Sequence, residues 1–222
     1  MANRTTVVLT GTDTGVGKTW AGRALALALR QAGRAVVAIK PIESGCAPEP
    51  GQAEDGALLA AATGQAEPRH ALRRFRAPVA PAVAADAEGG NLEFDQLATE
   101  IEQHSRRADV LLLEGAGGVL APLAWDWSVL DLARVFEASA LVLGSDRLGV
   151  INHTLLTLSA LDLAGIRVAG VVLTPPATPD PSTGHNAGAI VRLSGIERVR
   201  VAPRADDPAA AATWFGEIAA WL

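Results

Sequence analysis

The chain has 222 residues, 49% of them hydrophobic, which is enough to bury one substantial core. A net charge of −5 without a basic cluster argues against a nucleic-acid partner, and no apolar run reaches the ~20 residues that a membrane-spanning helix needs. The single cysteine, Cys46, excludes an intramolecular disulfide and fits a reducing compartment. With no apolar leader after Met-Ala-Asn-Arg, a soluble cytoplasmic protein with neither nucleic-acid nor membrane partners is expected.

The first expected element is a strand over 5–10. It leads into Gly11-Thr12-Asp13-Thr14-Gly15-Val16-Gly17-Lys18-Thr19 and then a helical pattern over 18–32. A glycine-rich turn between strand and helix points several backbone N–H groups at one spot, where the helix dipole adds positive potential. Lys18 then reaches a terminal phosphate, and the Thr19 hydroxyl can ligate Mg²⁺. The usual phosphate-loop spacing requires glycine at position 12. Here that residue is Thr12, and the glycine sits one place earlier at Gly11.

Further strands are expected over 35–39, 110–114, 140–144, 168–173 and 199–201. Helices are expected over 55–63, 94–106, 128–137, 151–164, 185–193 and 208–221. Strands that read as nearly unbroken Val, Leu and Ile are buried on both faces of a parallel sheet. The alternation implies one α/β domain over 1–222, a doubly wound, mostly parallel sheet flanked by helices. Its ligands then bind beyond the carboxyl ends of the strands. Three stretches break the rhythm, 46–54, 66–90 and 174–184, and are expected to be loops that cover a site. Within the second, Arg73, Arg74 and Arg76 read as a solvated loop.

Polar residues gather at the predicted strand ends. Lys40, in Lys40-Pro41-Ile42-Glu43-Ser44-Gly45, ends the second strand on the same rim as the phosphate loop. It is either a snorkelling surface lysine or a second cation over the phosphates. Ser44 offers a hydroxyl to a substrate. Glu114 ends the strand Val110-Leu111-Leu112-Leu113 at an abrupt apolar-to-charged step, and Gly115, Gly117 and Gly118 behind it let a ligand touch the backbone. Asp55 opens a helix, where it is either an N-cap or a third ligand. Thr19, Asp55 and Glu114 together would suit Mg²⁺, which takes a few carboxylate or hydroxyl ligands besides phosphate oxygens and water.

With these residues in place, the chain resembles the dethiobiotin synthetases, enzymes of biotin synthesis on a P-loop NTPase fold. The family pattern Gly-Thr-Asp-Thr-x-Val-Gly-Lys-Thr is present at 11–19, displaced glycine included. Lys-Pro-x-x-Ser-Gly matches at 40–45, an acidic residue before an apolar helix at Asp55, Glu-Gly-Ala-Gly-Gly at 114–118, and Leu-Gly-x-Ile-Asn-His at 148–153. The blocks occur in order along essentially the whole chain.

The resemblance implies an ATP-dependent ligase with Mg²⁺ that closes the ureido ring of dethiobiotin on 7,8-diaminononanoate and CO₂. It implies Lys40 and Lys18 as catalytic lysines. Nucleotide contacts are implied at Thr14, Gly15, Val16, Gly17, Lys18, Thr19, Trp20, Asp55, Glu114, Gly115, Ala116 and Gly117, and on the base side at Thr174, Pro175, Pro203, Arg204 and Ala205. Substrate contacts are implied at Thr14, Lys40, Ser44, Gly117 and Gly118. Because the family is homodimeric, Val150, Ile151 and Asn152 are implied to complete the neighbour's site, with the helix start at Asn152 facing the substrate carboxylate.

Three positions depart from the pattern. Thr174-Pro175 stands where many relatives recognise adenine with an Asn-Asp-like pair, and a threonine hydroxyl lacks the two-pronged donor and acceptor of an amide. The nucleobase is therefore open. Gly15 stands where other members are acidic, and Ala80-Pro81-Ala82 stands where many have Ser-Pro-His.

Two other assignments compete. Cobyrinic acid diamide synthases share the phosphate loop but attach a glutaminase domain with a nucleophilic cysteine, which nothing within these 222 residues supplies. Partitioning and membrane-site-selection ATPases carry an additional lysine early in the loop, where this chain has Thr12, and the stretch from Pro208 to Leu222 holds no lysine or arginine. Replacing Lys40 by alanine is expected to abolish product and leave the fold intact.

Overall fold

In the computed structural model, residues 4–222 are described; Met1, Ala2 and Asn3, the start of the stretch read as lacking an apolar leader, lie outside the described residues. Six strands form one parallel sheet: β1 (Thr5–Gly11), β2 (Val36–Ile39), β5 (Val110–Gly118), β6 (Ser139–Ser145), β7 (Val168–Thr174) and β8 (Val199–Val201). Their order is β2-β5-β1-β6-β7-β8. Two shorter parallel strands, β3 (Ile42–Ser44) and β4 (Arg73–Phe75), pair beside it.

The strand residues alternate between two cores, as the period-2 geometry of a strand requires. Val7, Leu9, Val110, Leu112, Leu141 and Leu143 face one side of the sheet. There they pack on α1 (Lys18–Gln31), α2 (Asp55–Thr63) and α8 (Pro208–Ala219). Val8, Leu111, Leu113, Val142 and Val171 face the other. That side is covered by α4 (Phe94–Ser105), α5 (Val129–Val135), α6 (Val150–Leu163) and α7 (Asn186–Ser194). Local chemistry sets the helix starts. Ser128 and Asp131 form a reciprocal capping box on α5, and Asp207 accepts from Ala209 N in front of Pro208 on α8. Among the described residues, no helix is long and apolar enough to cross a membrane.

The expected doubly wound sheet is present, with two local corrections. The strand expected over 110–114 runs on through the glycines to Gly118, which pairs with Gly11 at the end of β1. The stretch over 66–90 is not a loop throughout. It contains β4 and α3 (Pro81–Glu88), which starts on proline and ends on Gly89 with φ 68°. Arg73 and Arg74 are not solvated loop residues either, whereas Arg76, past the end of β4, is exposed as expected. Arg73 pairs with Glu100 at 2.7 Å, Arg74 grips both oxygens of Glu54 at 2.8 and 2.5 Å, and Arg76 pairs with Glu88 at 3.4 Å.

Gly11 explains the displaced motif. A Cβ there would lie 2.5 Å from the Asp13 carbonyl oxygen and 3.0 Å from that of Gly117. The loop thus folds back on position 11, so that residue must be glycine while position 12 is free to be threonine. Gly170 is restricted in the same way on β7, where a Cβ would meet the Trp221 ring at 2.5 Å and the Arg198 carbonyl at 2.8 Å. Gly170→Ala should therefore lower stability by about 1–3 kcal/mol, the usual cost of overpacking, read from the urea midpoint at unchanged slope.

Candidate functional site

The carboxyl ends of β1, β2 and β5 converge on one cleft of about 660 Å³. The phosphate loop supplies its floor. Gly15 and Gly17 take φ of 73° and 85°, the left-handed conformation that glycine tolerates best, and Gly17 caps the start of α1. Thr14, Lys18, Thr19 and Trp20 line the cleft with Lys40, Ser44, Asp55, Glu114, Ala116 and Gly117. Val16, Gly115 and Gly118 do not. Val16 is buried behind the loop, and the Gly115 carbonyl accepts from Lys40 at 3.2 Å.

Lys40 is buried, and its ammonium spends its donors on Glu114 Oε1 (2.7 Å), Asp55 Oδ2 (2.8 Å) and the Gly115 carbonyl. Burial alone would lower its pKa, but the charges of Glu114 and Asp55 outweigh that and hold it above the ordinary lysine value. The surface-lysine alternative is thereby excluded. Burial pushes the Glu114 carboxyl up, with the Lys40 ammonium pulling the other way. Asp55, whose side chain is 38% exposed, titrates below the usual carboxylate range, as Lys40 and Thr19 outweigh its burial. Lys18 is lowered by burial and by the charge of Lys40, and its ammonium donates to the Asp13 carbonyl at 3.2 Å.

Thr19 Oγ1 lies 2.8 Å from both Asp55 Oδ1 and Glu114 Oε1, yet a hydroxyl carries one proton and can donate to only one at a time. Three oxygens thus converge around a single proton, and Glu114 Oε2 is buried with no hydrogen-bond partner. Two carboxylates, one of them keeping an oxygen without a partner, and a hydroxyl form a donor set that suits a hard divalent cation such as Mg²⁺. The residues fit the metal.

A second cleft, of about 250 Å³, shares Gly15, Gly17 and Trp20 with the first and is walled by Thr174, Pro175, Pro203, Arg204 and Ala205. The Thr174 hydroxyl does not face it freely. It donates to the Val16 carbonyl at 2.9 Å, and the Gly144 carbonyl is 3.3 Å away. Thr174 therefore fastens the phosphate loop to the end of β7. Arg204 donates to the Pro176 carbonyl.

Val150, Ile151 and Asn152 line neither cleft within the chain. Gly149, with φ 94°, caps α6, so Asn152 is its third residue and not the cap. Ser44 lines the first cleft and donates to the Val79 carbonyl at 2.6 Å, which fixes the opposite wall. Pro78, Val79, Ala80 and Pro81 form that wall, within the stretch over 66–90 that was expected to cover a site. Glu43 also lines the cleft. The one signal for it was an isolated carboxylate between the apolar Ile42 and Ser44.

The comparisons with known proteins agree with this geometry. A family model described as an AAA domain matches residues 5–210. The ATP-dependent dethiobiotin synthetase of Anaeromyxobacter sp. (strain Fw109-5) is 42% identical over 192 residues, 85% of either chain. That of Aquifex aeolicus (strain VF5) is 37% identical over 90% of either chain. The chain belongs to the dethiobiotin synthetase family. The dethiobiotin synthetase of Rhodococcus jostii (strain RHA1) extends the match at 36% identity to 97% of this chain and 96% of its own. Among solved structures, the cell division ATPase MinD of Pyrococcus furiosus has a TM-score of 0.59 at 17% identity, covering 99% of this chain and 98% of its own. The septum site-determining MinD of Pyrococcus horikoshii, solved with Mg-ADP, has a TM-score of 0.57 at 16% identity, covering 97% and 94%. At that identity the MinD likeness establishes the P-loop ATPase fold and nothing of the chemistry.

Lys40 and Glu114 form a buried pair, so the expectation that Lys40→Ala leaves the fold untouched needs correction. Removing one member of a buried ion pair leaves an uncompensated charge. Lys40→Ala should cost roughly 3–5 kcal/mol in chemical denaturation at neutral pH, and adding Glu114→Gln should recover part of it. The depressed pKa of Asp55 means that its contribution to stability is present above the unfolded carboxylate value of about 4 and is lost as the pH falls through the lower folded value. Asp55→Asn should flatten that acid limb of the stability profile.

Proposed function

We propose that the chain is a dethiobiotin synthetase acting as a single domain, forming the ureido ring from 7,8-diaminononanoate, CO₂ and a nucleoside triphosphate. The supporting observation is the cluster of Lys40, Asp55, Glu114 and Thr19 at the rim of a phosphate loop, facing an apolar wall on the far side of one cleft. In this reading one amine adds to CO₂, losing a proton, to give a carbamate. A carbamate oxygen takes the γ-phosphoryl group and the nucleoside diphosphate leaves. The second amine attacks the carbonyl of the mixed anhydride, the bond to phosphate breaks, and the five-membered ring closes with loss of a proton.

Each residue has a part in that sequence. The N–H groups of Thr14, Gly15, Val16 and Gly17 and the Lys18 ammonium hold the phosphates. Lys40, cationic in its carboxylate setting, places positive charge where the carbamate oxygen meets the γ-phosphorus. Thr19, Asp55 and Glu114 would hold Mg²⁺, which when bound would neutralise charge on the β- and γ-phosphoryl oxygens. Ser44, Ala116 and Gly117 hold the diamine end, with Gly115 and Gly118 behind them, while Pro78, Val79 and Ala80 exclude water from the aliphatic chain.

The base is held in the cleft between Pro175 and the 203–205 segment. With its hydroxyl already committed, Thr174 contributes fit rather than a hydrogen bond to the choice of base. A homodimer is part of the proposal, with Val150, Ile151 and Asn152 completing the neighbour's site. The exposed Leu148 (81%) and Leu156 (63%) at and along α6 support that face as a contact. A soluble cytoplasmic location follows from the reading.

Incubating the protein with the diamine, bicarbonate, Mg²⁺ and ATP or CTP tests it by product mass. Dethiobiotin should form only when all components are present. Discrimination between the two nucleotides should stay under about a hundredfold, the range that shape alone achieves. Nucleotide turnover that ignores the diamine and responds to lipid vesicles or DNA would overturn the synthetase reading in favour of a switch ATPase.

A further inference from the structure

The start of α2 does not cap itself. Glu54, at the cap position, gives no side-chain bond to the helix; its carboxylate is held by both Arg74 contacts. The bonds come from another element. Glu43 on β3 accepts from Asp55 N through Oε1 at 2.6 Å and from Gly56 N through Oε2 at 3.0 Å. Glu43 is 8% exposed, so this carboxylate is bound to the helix end with little access to water. Burial raises its pKa, and the two helix N–H groups oppose that rise.

Other contacts fix the same place. A Cβ on Gly56 would lie 2.3 Å from Ala71 N, so the helix start is seated against the chain leading into β4. Arg74 on β4 clamps Glu54, and Cys46 Sγ lies 3.5 Å from the Glu43 carbonyl. The two-stranded β3–β4 sheet therefore grips the first turn of α2 at Glu54, Asp55 and Gly56. The side chain of the middle residue, Asp55, meets Lys40 and Thr19.

We infer that Glu43 is a positioning residue for the metal site, holding the Asp55 backbone so that its carboxylate stands beside Thr19 and Glu114. The inference rests on the assignment of Asp55 as a metal ligand. Glu43 touches neither phosphate nor metal in this role. Its effect reaches the cation through one helix residue, as groups behind metal ligands generally act. Replacing it by glutamine puts an amide N–H₂ against a helix N–H, where only an acceptor fits.

The test is the Mn²⁺ affinity of the ADP-loaded full-length protein, followed by EPR, alongside metal-free ADP affinity by calorimetry. Glu43→Gln should weaken Mn²⁺ by roughly ten- to a hundredfold, the usual effect of removing a partner of a ligand, while metal-free ADP binding stays within about twofold. Glu43→Asp, with charge kept and reach shortened, should fall between. In an Asp55→Asn background, Glu43→Gln should add little, since the ligand it positions is gone. Wild-type Mn²⁺ affinity in both folded Glu43 variants, or full additivity with Asp55→Asn, overturns the role. Equal losses of Mn²⁺ and metal-free ADP binding also overturn it, because they mark a merely structural residue. Failure of the wild type itself to bind Mn²⁺ with ADP would instead overturn the metal assignment, and this inference with it.

Discussion

One buried nitrogen organises this molecule. The Lys40 ammonium ties together the end of β2, the end of β5 and the first turn of α2, and Thr19 on α1 shares the same carboxylates. Neither the Lys40 nor the Glu114 charge is tolerable alone at that depth. Glu114 is 1% exposed and would be forced to protonate without a cation beside it, and Lys40 at 4% would lose its proton without the carboxylates. The pair depends on the sheet order, since Lys40 and Glu114 meet only with β2 lying next to β5. Such a pair adds little net stability over an apolar replacement, so stability alone does not account for it; the proposed chemistry does, with opposite charges held at the rim of the phosphate loop.

Much of this was legible in the sequence. The six core strands read as Val, Leu and Ile runs because a parallel sheet buries both faces, and the phosphate loop read itself through its glycines and Lys18. Lys40 and Glu114 stood out as charges at the ends of apolar runs. The small β3–β4 sheet was not legible. Three-residue strands carry no usable period, and prolines at 68, 78 and 81 suggested a loop. Glu43 was hidden for a related reason, since its partners are backbone N–H groups twelve and thirteen residues on, and those leave no mark in side-chain patterning. Asn152 was misplaced because Gly149, in a left-handed conformation, takes the cap position that an asparagine normally claims.

The likeness to MinD and the relationship to dethiobiotin synthetases lie at different levels. The sheet, the phosphate loop and its following helix answer a general problem of holding polyphosphate, so they recur at 16–17% identity. On the rim of that scaffold this chain sets Lys40 between carboxylates, Ser44 against Val79 and a proline-rich wall from 78 to 81. Fold does not fix chemistry, so the proposed activity rests on these residues rather than on the sheet.

Thr174 constrains how nucleobase choice can change over evolutionary time. Its hydroxyl holds the Val16 carbonyl, and a Cβ placed on Gly17 would lie 3.0 Å from its methyl group, so the residue is part of the phosphate-loop mounting. An asparagine at 174 would bring an amide toward the base, but it would also release the Val16 carbonyl from the hydroxyl that holds it. Acquiring a purine-reading side chain at this position is therefore a correlated change across two parts of the fold. One residue thus belongs at once to the wall of the second cleft and to the mounting of the loop beside it.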